Sequence, residues 1–412
     1  MRKRISILKI KATILLFAIT FINANGVDKR AVGDLQINAT AATLFDSNIY
    51  FNENEVDDII FQFQPTATYT KRLGPLIASA TGGGDFGRYV ENGQEDYSNP
   101  ITRFNVGMAE DFGLFSVDKR TAGKISFGFD TDISQRTEAN EQLRDLVNYT
   151  LYTANFNIRY NHSPKFGISA NYGYDFRDYQ STSTLGNFFT DIETQNIGVN
   201  LLYIYSPKLD LFLNYTLSQH DGRGVRDFFI DNEVSTFMIG AEGNFTPKIS
   251  GNVSIGYANR TFDNSLVNSE GGLVFNSGVN WQFRQKTGLS LNLRRNFMPT
   301  AQDNAIETAS YNISLIHRFT QRTSGTLAYT FNDNDFQTYA GQPPIPPPYL
   351  DPSRVLGGRT DKSHTVSLMV DTQLSKNIRG ISRYSYTDFE SGLGDVFSNE
   401  RHLLSFSASL SY

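Results

Sequence analysis

Apolar and polar side chains alternate along most of this chain, and a two-residue period held over ten or more positions describes a long β-strand and little else. From Tyr152 to Asn161 the sequence YTANFNIRYN puts Tyr152, Ala154, Phe156, Ile158 and Tyr160 on one face and Thr153, Asn155, Asn157, Arg159 and Asn161 on the other. The next stretch, FGISANYGYDFR from Phe166, sets Phe166, Ile168, Ala170, Tyr172, Tyr174 and Phe176 against Gly167, Ser169, Asn171, Gly173, Asp175 and Arg177. The same alternation runs through segments beginning at Leu209, Leu273, Leu289, Tyr311 and Val366, and no helical period extends over a comparable length.

Between these segments a small polar phrase recurs: HSPKFGI from His162, YSPKLDL from Tyr205 and FTPKISG from Phe245. Weaker versions begin at Tyr69, Val117, Phe283, Phe319 and Leu374, so that a lysine or arginine returns about every 36 to 48 residues, with one wider interval of about 55. Each phrase is short enough to join two antiparallel strands, and proline there presets φ without removing a ladder hydrogen bond. Longer polar segments lie between successive short turns, among them RDYQSTSTLGNFFTDIE and SQHDGRGVRDFFIDNE.

Short turns at one end and long loops at the other predict an all-β fold, a transmembrane antiparallel up-and-down β-barrel with short periplasmic turns and long extracellular loops. A propeller would fit four short strands into each period, whereas two strands of about ten residues, enough to cross a bilayer at a tilt, occupy it here. A soluble sandwich would have no use for 32 phenylalanines and 21 tyrosines placed largely on one face. Counting strands on either side of the eight turns gives about 18, from LQINATAATLF at Leu35 to the last at His402–Tyr412. That even number puts both termini at the periplasmic side, and pairing of the first strand with the last satisfies every backbone group in lipid. Register falters at VGMAEDFGLF, where Glu110 would face lipid, and a bulge is expected there.

Residues 1–26 read as a cleaved secretory signal: MRKRISILKIK, the apolar run Ala12–Ile22, and the small residues before a cleavage near Ala24 or Gly26. The apolar run is about half the roughly 20 residues of a spanning helix. Residues 27–412 then form one barrel domain, since no internal boundary is visible. Loss of Arg2, Lys3, Arg4, Lys9 and Lys11 leaves 37 − 5 = 32 basic residues against 42 acidic ones, a net charge of about −10. This balance excludes a nucleic-acid partner, and the absence of cysteine excludes a disulfide scaffold and thiolate metal sites.

The last strand alternates Leu404, Phe406, Ala408, Leu410 and Tyr412 and ends on an aromatic residue. It resembles the carboxyl-terminal signal of outer-membrane proteins, which implies the barrel assembly machinery as a partner. The stretch Leu44–Thr70, LFDSNIYFNENEVDDIIFQFQPTATYT, resembles the opening of the putative β-barrel porin 2 family through Asp46, Ser47, Asn48, Asp57, Asp58 and Pro65. That resemblance implies an outer-membrane channel, and membership of that family in exopolysaccharide operons implies an exported polysaccharide as cargo and polysaccharide-export components as partners.

A barrel of this size is too wide to be filled by its own side chains. The strand pattern points Asn155, Asn157, Arg159, Asp175, Arg177, Asn276, Asn280, Gln282, Asn292, Arg294, Asn312, Arg318, Asp371, Gln373, Arg379 and Arg383 into the lumen. Amides and scattered guanidinium groups exchange hydrogen bonds with sugar hydroxyls without tight binding, although any water-filled barrel carries such a wall. The stiff segment GQPPIPPPYLDP, residues 341–352, either folds inward or stands outside, and Phe188, Phe189, Phe228, Phe229 and Tyr349 are candidates for stacking on sugars or on one another.

Catalysis has little to rest on. His220 with Asp221 is the sole adjacent histidine and aspartate pair, His162 falls at a turn, and His317 on an apolar face. Asn332–Phe336, NDNDF, lacks the spacing of an EF-hand loop, so neither a metal nor a cofactor is expected. The expected function is a passive outer-membrane conduit, surrounded by lipid and lipopolysaccharide, with an exported polysaccharide as preferred cargo. The alternatives are a general diffusion porin for small hydrophilic solutes and a closed structural or adhesive barrel.

Overall fold

The computed structural model describes residues 33–108, 125–140, 145–180, 189–223, 231–263, 268–300, 304–336 and 360–412 except 393, 396 and 397. The signal segment 1–26, Glu110, Phe188, Phe228, Phe229 and the proline-rich segment with Tyr349 lie outside them. Eighteen strands follow one another: β1 (Asp34–Asp46), β2 (Asp58–Leu73), β3 (Leu76–Tyr89), β4 (Tyr97–Met108), β5 (Ile125–Asn140) and β6 (Asp145–Asn161). After them come β7 (Phe166–Tyr179), β8 (Asp191–Ser206), β9 (Leu209–Arg223), β10 (Asn232–Thr246), β11 (Ile249–Phe262) and β12 (Glu270–Arg284). The circuit ends with β13 (Thr287–Thr300), β14 (Asn304–Arg318), β15 (Thr323–Phe336), β16 (Thr360–Gln373), β17 (Ile378–Glu390) and β18 (Asn399–Ser411).

Every strand pairs antiparallel with its sequence neighbours, and β1 pairs with β18 from Asn38–Ser411 to Asp46–Leu403, so the 18-stranded sheet closes on itself. Two bonds between Ile37 and Tyr412 backbones, each 2.8 Å, complete the seam. A closed sheet has no edge strand to leave unpaired. The period-2 faces fall as the sequence implies. Leu201, Leu213, Tyr215, Ile239, Ile255, Leu273, Leu368 and Phe406 are exposed on the outer surface, and their neighbours in sequence point inward. Leu404, Phe406, Ala408 and Leu410 lie on the outer face of β18, and Tyr412, exposed, directly follows it.

The recurring phrase has a local cause. Ser163 Oγ accepts the backbone N–H groups of Lys165 (3.2 Å) and Phe166 (3.0 Å), and Thr246 Oγ1 those of Lys248 (3.2 Å) and Ile249 (3.0 Å). Ser206, Thr320 and Ser375 make equivalent bonds. Each hydroxyl caps N–H groups that the tight turn would leave without a strand partner, which is why serine or threonine precedes the proline and the lysine. In β2 the ladder to β3 skips Gln64 and Pro65, the position where proline has no N–H to give.

At the phrase beginning at Tyr69, β2 runs on to Leu73 and the chain reverses at the phrase's last residue, Gly74, whose φ of 63° favours glycine.

Candidate functional site

The inner wall is the candidate site, and register fixes what it presents. From β14 round to β3 it is a field of hydroxyls and amides that bond one another: Thr40–Ser409 at 2.8 Å, Thr68–Thr81 at 2.8 Å, Thr365–Thr387 at 2.9 Å, Ser310 to Asn332 at 2.7 Å and Asn312 to Thr330 at 2.8 Å. All the inward-facing cations of the described strands are arginines, which hold their charge in a fixed fork. Several are neutralised in place: Arg103 with Asp132 (3.0 Å), Arg159 with Asp210 (3.1 Å), Arg177 with Asp175 (3.2 Å) and Arg379 with Asp371 (Nε to Oδ1, 2.8 Å).

Asn155, Asn157, Arg159, Asp175, Arg177, Asn276 and Arg294 border one cavity of about 1470 Å³. Asn280, Gln282 and Arg318 border a second, of about 340 Å³, at the turn end. Asn292 Nδ2 reaches Asn312 Oδ1 (3.5 Å), Gln373 Nε2 donates to the Ser375 carbonyl (2.6 Å), and Arg383 points to Met369 Sδ (3.5 Å). Of the loop aromatics, Phe189 packs on Tyr179, their ring centroids 5.9 Å apart.

The considered catalytic pair is taken apart by the strand itself. His220 points inward, its Nδ1 2.9 Å from Thr194 Oγ1, and Asp221 points outward to Gln219. Likewise Asn332 and Asn334 face the lumen and Asp333 and Asp335 do not, so NDNDF presents no common ligand set. Turn-end His162 lies against Tyr160, and outward His317 against Phe319.

Strand alternation alone does not reveal what crosses the lumen. The ladder between β12 and β13 ends at Phe275–Arg295, while β13 and β14 remain paired to Thr300–Asn304. Beyond Arg295 the end of β13 parts from β12 and lies inside the wall formed by β10 to β12, carrying its hairpin partner β14, which itself stays paired with β15 to Ile306–Phe336. Phe297, of outward parity in its strand, is buried against the inward residues Val234, Ala258 and Val274 of β10, β11 and β12. Arg260 of β11, 1 % exposed, fastens this overlap: its Nη1 donates to the Ile306 carbonyl (3.3 Å), its charge pairs with Glu270, and its guanidinium lies 4.7 Å from the Phe297 ring centroid. Opposite, Gly272 faces Phe297 and Glu307 with no side chain between.

A second segment folds inward from the other side. In the β1–β2 loop Ile49, 1 % exposed, packs on Ile60, Tyr89, Tyr97 and Leu146, and Phe51 meets the inward Phe389 ring edge-on at 5.8 Å. Tyr50 donates to Glu95 (3.1 Å), and burial together with that carboxylate raises its pKa above the ordinary tyrosine value. Three side chains hold the loop down. Asp46 accepts from Arg401 Nε of β18 (2.9 Å), Ser47 Oγ accepts the His402 N–H (2.8 Å), and the buried Asn48 bonds the Asn52 carbonyl (2.7 Å) and Asn52 N–H (3.1 Å). Phe51 and Glu55 take φ of 52° and 48°, conformations that side chains adopt only where surrounding contacts hold them.

These are the Asp46, Ser47 and Asn48 of the opening motif, and the family comparison rests on the whole barrel around them. The sequence matches the family described as putative beta-barrel porin 2 over residues 35–407. The chain belongs to that family. No curated protein matches it significantly. Among solved structures it is similar to the outer membrane protein opdK from Pseudomonas aeruginosa, with TM-score 0.51, 10 % identity, and coverage of 92 % of this chain and 99 % of that one. It is also similar to OccK2 (OpdF) of the same organism, solved in complex with glucuronate, with TM-score 0.51, 8 % identity and 92 % and 99 % coverage. At such identities the likeness is one of fold: an 18-stranded porin-like outer-membrane barrel.

Of the two remaining acidic motif residues of this porin 2 barrel, Asp58 ties the first loop to the second. Its carboxylate accepts the backbone N–H groups of Ile59 (2.6 Å), Val90 (3.0 Å), Glu91 (3.2 Å) and Asn92 (2.8 Å) and the Asn92 side-chain amide (2.9 Å). Asp58→Ala strands several of these donors, and at about 1–3 kcal/mol for each group left unsatisfied the loss should reach about 3 kcal/mol. Urea unfolding of the refolded barrel measures it, with Asp58→Asn losing less because an amide oxygen still accepts. Equal midpoints for all three proteins would deny the carboxylate this role. The other, Asp57, lies in the first loop and outside this set of bonds.

Proposed function

We propose that this barrel is a passive channel for hydroxyl-rich hydrophilic solutes, with its loop end outside the cell and its turn end in the periplasm. The observation that carries the proposal is the self-bonded hydroxyl and amide wall from β14 to β3. A solute passing such a wall exchanges one hydrogen bond for another of equal kind and is released as readily as it is taken up. An exported polysaccharide is the preferred cargo, supported by the family resemblance and by that match of hydroxyls. The sugar acid in the OccK2 complex is in keeping with a saccharide solute. The competing reading, a general porin for small solutes, draws on the inward hairpin and first loop, both of which narrow the path. The lipid-facing face of β18, from Leu404 to Tyr412, is proposed as the strand read by the assembly machinery. Outer-membrane lipid and lipopolysaccharide are proposed to surround the apolar outer surface.

The test is single-channel recording of the refolded protein with neutral oligosaccharides of increasing length added to one side. We expect steady conductance, blocked reversibly by the longer sugars. Conductance indifferent to every length would favour the general porin, and a folded barrel that does not conduct would overturn the channel.

A further inference from the structure

The turn phrase serves the fold through its serine or threonine, but nothing in hairpin geometry asks for the lysine that follows. Six of the seven described turns nevertheless carry a cation, Lys165, Lys208, Lys248, Lys286, Arg322 and Lys376, and the seven contain no acidic residue. All six side chains are exposed, and none of them forms an ion pair among the described residues. Of the inner-wall acids near this end, Asp210 and Asp371 are already occupied by Arg159 and Arg379, and Glu242 stands beside Asp210 across the ladder, on the strand that leads to Lys248. The loop end is the reverse: loops 47–57 and 90–96 hold Glu53, Glu55, Asp57, Glu91, Glu95 and Asp96 without one lysine or arginine.

The cations are not merely scattered over a rim. Lys248, Lys286 and Arg318, from three successive β-hairpin ends, border the cavity of about 340 Å³ together with the amides of Asn280 and Gln282. Arg318 belongs to the inward face of β14, so the cavity opens on the lumen and not only on the lipid headgroups. Strands lie about 4.8 Å apart, which sets neighbouring turns roughly 10 Å from one another, close to the Debye length at about 0.1 M salt. Their fields therefore overlap at moderate salt and separate at high salt.

We propose that the turn-end mouth is a docking site for a soluble polyanionic chain, whose carboxylate, sulfate or phosphate groups bind between Lys248, Lys286 and Arg318 and are gathered there by the ring of turn cations. The proposal builds on the channel reading and gives it a substrate class and a side of approach. Amides at Asn280 and Gln282 supply bonds to the hydroxyls between charges, and the acidic loop end repels the same chain from the far side.

Binding of dextran sulfate to the folded barrel in neutral detergent tests this apart from any conduction, with dextran of equal length as control. We expect dextran sulfate alone to bind, with affinity falling steeply between about 50 and 500 mM salt as screening shortens. The exposed triple variant K248Q/K286Q/R318Q should fold normally, shown by its heat-modifiable mobility, and bind about tenfold more weakly, the factor that about 1.4 kcal/mol represents. K165Q/K208Q/K376Q, outside the cavity, should lose less. Equal affinity in wild type and the first variant would overturn the site. So would loss of polyanion binding in nanodiscs of phosphatidylglycerol but not phosphatidylcholine, which would assign the cations to lipid headgroups. In a bilayer, block by dextran sulfate should be at least about tenfold faster from the turn side, within the range electrostatic steering gives. Block without sidedness overturns the inference and leaves the channel standing, whereas binding without conductance does the opposite.

Discussion

Replacing residues 296–308 with an Asn-Gly turn between the paired Arg295 and Ala309 should raise single-channel conductance roughly twofold or more, because an 18-stranded wall leaves an open aqueous path once nothing crosses it. The hairpin would then end where its ladder to β12 ends, leaving those pairs intact, while β15 would lose its last three partners, Ile306, Glu307 and Thr308, and Arg295 would lose Glu307. The cost falls on packing. Val234, Ala258 and Val274 would lose Phe297 and face water, and Arg260 would lose the Ile306 carbonyl while keeping Glu270. Phe297→Ala alone tests the fastening without shortening the chain. At about 3–5 kcal/mol for a buried phenylalanine it should loosen the overlap and turn steady current into frequent transitions between two levels. Unchanged conductance in the shortened chain would mean that the narrowest point lies elsewhere, with the first loop as the next candidate.

How far such a hairpin could be read in advance depends on what alternation encodes. A two-residue period separates two faces but does not say what each face touches. In the β13 end the same period continues, yet the face carrying Phe297 turns from lipid to the inside of another part of the wall. The signal lay in the neighbours: Val234 and Val274 are apolar where the next inward positions of their strands, Thr236 and Asn276, are polar, and an apolar inward residue requires a cover. The clusters Val147, Tyr149, Leu151 and Ile192 on β6 and β8 follow the same logic at the loop end. The turns were legible for the opposite reason. A serine or threonine two residues before a lysine satisfies the turn locally, so no distant contact was needed to place it. The first loop was legible only as a motif, because Asp46, Asn48 and Asp58 act through partners on β18 and on the second loop, Arg401 lying 355 residues from Asp46 in sequence.

That long-range pair carries the other large effect. Arg401→Ala removes the partner of a carboxylate whose side chain is 3 % exposed, and at the same time the guanidinium that lies 5.4 Å from the Phe51 ring centroid. Breaking a buried pair from one side costs about 3–5 kcal/mol, and since the Arg401 side chain is itself 20 % exposed the lower figure applies. Two consequences should appear together. The urea midpoint of the refolded barrel should fall by the equivalent of about 3 kcal/mol, and the first loop, freed from β18, should become sensitive to protease between residues 47 and 57. Adding Asp46→Asn to Arg401→Ala separates the two contributions, because it removes the stranded charge without restoring the contact to Phe51. If the buried charge is the cost, the double variant recovers most of the stability while its loop remains cleavable. If the cation on the ring holds the loop and the charge matters little, the second change recovers nothing, and the motif's aspartate would then serve the turn at Asn48 and not the closing seam of the barrel.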